Sequence, residues 1–171
     1  MKSDNLTKEE KEILRATLDY LGTDGDGNKV RISFKSIKGS ATGELAGNNQ
    51  IRIDMGKIES NYQKPGMDNF DLTAQVGGTT VHEGTHGKDL AEGIFNFRIR
   101  NSQKDQDFKA YEAAESRAWN AESYVFKGQN ISSPDGLWNT SWKEVDREKL
   151  RSTGVQRGVQ RSMEEVKKRY N

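Results

Sequence analysis

The segment Val81-His82-Glu83-Gly84-Thr85-His86 constrains this chain more than any other, because it carries both of the protein's histidines, four residues apart. On an α-helix, positions i and i+4 lie one turn apart on a single face, so His82 and His86 can point at one metal ion. Glu83 projects from the neighbouring side of the same turn, where it can take a proton from a water activated by that ion. Zinc-dependent hydrolysis needs such an arrangement. A bare HExxH match arises by accident in roughly one of several hundred chains this long. The rest of the sequence must therefore supply a helix around it and a further ligand.

A catalytic zinc takes three protein ligands and leaves the fourth position for water. The chain has no cysteine and no other histidine, so the third ligand must be a carboxylate. The spacing of Tyr111, Ala114, Ala118, Ala121 and Val125 predicts a helix over 108–126, and this helix offers Glu112, Glu115 and Glu122. At about 100° per residue, Glu115 lies between Phe108 and Trp119 on one side and Tyr111 and Ala118 on the other. It is the carboxylate set inside an otherwise apolar surface, a costly place unless it is ligated. Glu112 is turned away from the stripe. Glu122 lies near the line of Glu115, two turns on. Both of these read as exposed helix charges.

The segments around the two helices give an α+β class. Thr7-Lys8-Glu9-Glu10 is a capping box, followed by a helix with Ile13, Leu14, Leu18 and Leu21 on its apolar side. Asp24, Asp26 and Asn28 match the first ligand positions of a calcium loop, but Lys29 and Lys35 stand where such a loop needs glycine and glutamate; the Asp-Gly pairs read as a tight turn. Val30, Ile32 and Phe34 alternate as a half-buried strand. Gly39 to Gly47 is small and flexible, with a short strand near Glu44-Leu45. Gly47-Asn48-Asn49 is a turn, and Ile51, Ile53 and Met55 alternate again with Arg52 and Asp54 outward. A small, mostly antiparallel sheet follows from this. The stretch 61–69 is a loop. The HExxH helix begins either at an Asp71 cap or only after Gly78 with Thr79 as cap, and it ends at Gly93. Phe95, Phe97 and Ile99 suggest one more strand. A loop anchored by Trp138 leads to a charged, largely helical tail over 142–170, interrupted at Gly154 and Gly158, with Val155, Val159, Met163 and Val166 as a docking stripe.

Length fits one domain over residues 1–171. With 27 basic and 26 acidic residues the formal charge is +1, which gives no reason to expect nucleic acid or a membrane as partner. The start MKSDNLTKEEKE is not a secretory signal, and no apolar run approaches spanning length. The expected location is cytoplasmic, or outside the cell by delivery as part of a larger protein.

His82-Glu83-x-x-His86, followed on a second helix by Glu115-x-x-Ala118, resembles the gluzincin class of zinc metallopeptidases. The resemblance covers Val81 to about Val125. It implies a small zincin-like domain, Zn2+ held by His82, His86 and Glu115, Glu83 as general base, and a protein or peptide substrate. It also implies a sheet edge along which the peptide aligns, for which the strand at 51–55 is the candidate. No histidine remains to stabilise the transition state, which leaves Tyr111, Arg117 and Tyr124 as candidates. The HEGTH wording and the Gly/Asn-rich front also look like metallopeptidase toxin domains at the C-termini of large bacterial secreted proteins, which implies a cognate inhibitor or immunity protein as partner. The rival expectation is a non-enzymatic binding domain that zinc merely staples.

Overall fold

A computed structural model describes residues 4–22, 30–47, 49–62 and 71–170. The Asp24–Asn28 turn and the loop after Tyr62 lie outside these residues, as does Asn48 of the expected turn. Helix α1 spans Lys8–Leu21, and its capping box forms as expected: Glu10 N donates to Thr7 Oγ1 at 3.2 Å and Thr7 N to Glu10 Oε2 at 2.8 Å. Its apolar side is narrower than expected. Leu14 is buried, while Ile13 and Leu18 stay exposed.

Strands β1 (Arg31–Phe34), β2 (Gly43–Leu45) and β3 (Gln50–Ile53) form one sheet in the order β1-β3-β2. The sheet is mixed, not mostly antiparallel: β2 pairs antiparallel to β3 as a hairpin partner, but β1 runs parallel to β3 on its other side. Two expectations fail here. Strand β3 is central and has both edges occupied, so it is not a docking edge; the cleft-side edge belongs to β2. Strand β1 is not half-buried. Ile32 and Phe34 sit opposite the fully buried Ile51 and Ile53, on the same face, yet are 47% and 61% exposed at the rim of the sheet.

The alternation Ile51-Ile53-Met55 does not continue as strand. Met55–Tyr62 is helix α2, which the sequence pattern concealed, and Asp54 turns inward to start it. Its carboxylate accepts from Ile37 N at 2.8 Å and Lys57 N at 3.2 Å. The Ile37 amide, more than any other partner, holds the Asp54 pKa below the usual aspartate value. A carboxyl depressed by folding stabilises the native state above its unfolded pKa, and that contribution fades as pH falls through the folded value. Asp54→Asn is thus expected to lower the melting temperature at pH 7, with the gap to wild type shrinking towards pH 3 in thermal denaturation.

Helix α3 runs over Leu72–Ala91 from an Asp71 cap, whose side chain accepts from Ala74 N at 2.8 Å; the start after Gly78 is excluded. Its glycines serve close packing against helices. A Cβ on Gly84 would lie 3.0 Å from Leu21 of α1, and one on Gly78 would lie 2.7 Å from the Phe126 ring. The expected strand at Phe95–Ile99 is irregular chain, with no strand partner among the described residues, and Phe95 is buried against Phe97 and Tyr111 instead. After a 3-10 turn, helix α4 (Lys104–Gln129) lies along α3, and the loop beyond it is pinned by the buried Trp138.

Helix α5 spans Glu144–Tyr170 without interruption. Gly154 and Gly158 do not break it; both are buried in its contact face between Val155, Val159, Met163 and Val166, which dock as expected. Among the described residues most of the buried apolar side chains fall into three clusters, around Phe126 and Leu137, around Leu14 and Val125, and around Ile51 and Ile53. No helix among the described residues is long and apolar enough to cross a membrane.

Candidate metal centre and cleft

Helix α3 presents His82 and His86 on successive turns, at 8% and 4% exposure, with ring centroids 5.0 Å apart and nearly perpendicular. Both Nε2 atoms face Glu115 of α4. The His82 atom is 3.6 Å from Glu115 Oε2 and the His86 atom 3.4 Å from Oε1. Ligand atoms of all three lie within 4.8 Å of one another. Tetrahedral bonds of about 2.0–2.1 Å place ligand atoms roughly 3.4 Å apart, so an ion fits between these groups with little movement. Oxygen Oε2 of Glu115 is buried and has no hydrogen-bond partner, an arrangement that suits a ligand atom.

The three glutamates of α4 separate clearly. Glu112 is exposed, as expected, and Glu115 faces the histidines. Glu122, expected as an exposed helix charge, is instead 6% exposed, with Oε2 3.0 Å from His82 Nδ1. Seven residues bring the helix back to nearly the same direction, so both glutamates face α3. A carboxylate that accepts from the far nitrogen of a ligating histidine fixes its tautomer and ring orientation. The pattern held the signal for this, because Glu122 lies on the line of Glu115.

The electrostatics follow from burial. Desolvation raises the Glu83 pKa, with the two imidazoles opposing it. Desolvation also pushes Glu115 upward, but the adjacent His82 and His86 imidazoles prevail and hold it well below the usual range. For His82 burial works against the proton, and the carboxylates of Glu115 and Glu122 overcome it to raise the pKa.

These residues form the floor of a cleft of about 610 Å³. Strand β2 forms one wall. The opposite wall is α5, which the sequence did not mark as part of the site; it contributes Arg161, Glu165, Arg169 and Tyr170. Ser40, on the loop into β2, hydrogen-bonds Glu165 across the two walls. Of the three candidate donors only Tyr111 lines the cleft, edge-on to Phe95 and Phe97. Desolvation first, then the Glu115 charge, raise its pKa and keep the phenol protonated. Arg117 is engaged with Asp89 at 2.7 Å, and Tyr124 packs with Leu6 and Leu14 beneath Arg151.

Gly43 of β2 lies against Thr79 and Glu83 of α3. A Cβ built there would lie 2.5 Å from Thr79 Cγ2, 3.0 Å from Glu83 Cγ and 3.1 Å from Glu83 Oε1. No protein-family model matches this chain, and neither does any curated protein or solved structure.

Proposed function

We propose that this is a zinc metallopeptidase of zincin-like fold, in which His82, His86 and Glu115 hold the metal and Glu83 is the general base. The observation that carries the reading is the position of Glu83: a buried carboxylate on the cleft floor, one residue from His82, that holds no ion pair or hydrogen bond with the other groups of the site. A purely structural metal site has no use for a carboxylate there. Two imidazole nitrogens and one carboxylate oxygen form a donor set that suits zinc.

Bound zinc supplies Lewis acidity, lowering the pKa of water towards about 7 and polarising a carbonyl oxygen. Glu83 takes the proton of the attacking water and passes it to the leaving amine. The Tyr111 hydroxyl donates to the oxygen on which negative charge develops. In the β2–β3 ladder, Asp54 N bonds Thr42 O and Ala46 N bonds Gln50 O, so by alternation the backbone groups of Gly43 and Leu45 face away from β3, the side from which an extended peptide would pair.

The deciding experiment incubates the zinc-loaded protein with fluorescently labelled casein. Cleavage is expected, abolished by 1,10-phenanthroline and restored by added zinc; no cleavage by the zinc-loaded chain counts against the reading. The rival, a zinc-stapled binding domain, draws support from the deep burial of all three ligands, and it predicts that chelation unfolds a chain that never cleaves.

Gly43→Ala supplies a sharper check on the base. The added methyl crowds Thr79 most and Glu83 next, so Glu83 must give by a few tenths of an ångström; a full shift of about 1 Å in a catalytic group costs on the order of 10²-fold, and this smaller one roughly 10-fold. Turnover is expected to drop by about that factor with zinc content unchanged, read by steady-state kinetics and metal analysis.

A further inference from the structure

We propose that Trp119 is a positioning residue for the ligand His82, and that Gly158 and Ser162 of α5 hold its indole in place, so that metal affinity depends on a helix that contributes no ligand. The inference rests on His82, His86 and Glu115 holding an ion.

Four contacts carry it. The Trp119 ring stands edge-on to His82, with centroids 4.8 Å apart and planes at 79°. Together with Glu122 on Nδ1 and the His86 ring on another side, it leaves the imidazole little freedom to turn. The indole is in turn seated on α5. A Cβ on Gly158 would lie 2.5, 2.7 and 2.8 Å from indole atoms Cδ2, Cε2 and Cε3, so only glycine admits the ring at this depth. Trp119 Nε1 donates to Ser162 Oγ at 3.1 Å. The Arg161 guanidinium lies 5.4 Å from the ring centroid and is itself anchored to Asp135 at 2.9 Å.

Residues 158, 161 and 162 occupy positions i, i+3 and i+4, a single helical face. That face closes on the indole, and the indole closes on the imidazole. Groups that orient a ligand without touching the metal typically contribute 10–100-fold in affinity. Coupling between binding events is reciprocal, so metal binding also tightens the docking of α5.

The experiment measures zinc affinity by competition with a chromophoric chelator for wild type, Gly158→Ala, Trp119→Leu and the double variant, with His86→Ala as the control that removes a ligand. Each single variant is expected to bind zinc about 10–100-fold more weakly. In the Trp119→Leu background the Gly158→Ala penalty is expected to vanish, since the glycine acts through the indole; a general loss of folding would instead add the two effects. Hydrogen exchange gives the reciprocal readout: zinc is expected to slow exchange around Gly158 in wild type but not in Trp119→Leu. Wild-type affinity in both single variants, alongside lost binding in His86→Ala, overturns the inference while the metal centre stands. Additive losses in the double variant overturn it too. A wild-type chain that takes up no zinc overturns the metal centre and this inference with it.

Discussion

Glu83→Gln is expected to abolish peptide hydrolysis while leaving zinc bound. Glutamine has nearly the same shape as glutamate but cannot accept a proton, so the ligand geometry at His82, His86 and Glu115 is preserved and only proton transfer is lost. General acid–base groups contribute roughly 10²–10⁴-fold. In the proposed mechanism one residue serves both the attack on the carbonyl and the departure of the amine, so the loss should fall at the upper end of that range. The burial that raises the Glu83 pKa also makes the neutral amide easy to accommodate, and stability should hold or rise slightly. The measurement pairs turnover on labelled casein with zinc per chain by elemental analysis. Retained turnover in Glu83→Gln removes this residue from the mechanism.

Glu115→Ala is expected to have the second large effect, on the metal itself. It leaves two imidazoles facing a buried gap, and its loss should exceed the 10–100-fold typical of a group that only orients a ligand. The neighbouring glutamates calibrate the result. Glu112→Ala, at an exposed position, should bind zinc as wild type does. Glu122→Gln, which weakens the acceptor on His82 Nδ1, should fall in the 10–100-fold range. The order Glu115, Glu122, Glu112 in chelator competition is thus the signature of the geometry between α3 and α4. A larger loss on Glu112→Ala than on Glu115→Ala would reassign the ligand.

The motif half of the site was legible from spacing alone, since a four-residue separation on a helix leaves little freedom for His82 and His86. Glu115 was legible from its place inside an apolar stripe. Glu122 shares that direction, but two turns separate them, and only the long contact of α4 with α3 shows that both turns are covered. The same blindness to distant contacts explains the other differences. Ile32 and Phe34 alternate correctly, yet burial depends on what lies above the rim of a sheet. Met55 continues the alternation of Ile51 and Ile53, yet the Asp54 carboxylate bonds two amides and starts a helix at that point. Gly154 and Gly158 each cost a helix about 1 kcal/mol relative to alanine, which is why they read as breaks. The approach they allow, to the chain at Gly136 and to the Trp119 ring, offsets that cost and is invisible along the sequence.

The division of the apolar interior into three clusters has a consequence for how the molecule coheres. The buried polar residues His82, Glu83, His86, Glu115 and Glu122, on α3 and α4, belong to none of these clusters. An ion shared by α3 and α4 at that point works as a keystone: it converts mutually repelling carboxylates into the element that locks the arch. If zinc binds as proposed, the apparent stability of the fold would follow ambient zinc, gaining about 2.7 kcal/mol when free metal stands at 100 times its dissociation constant. The same ion that arms the cleft would thereby decide how much of the chain is folded enough to use it.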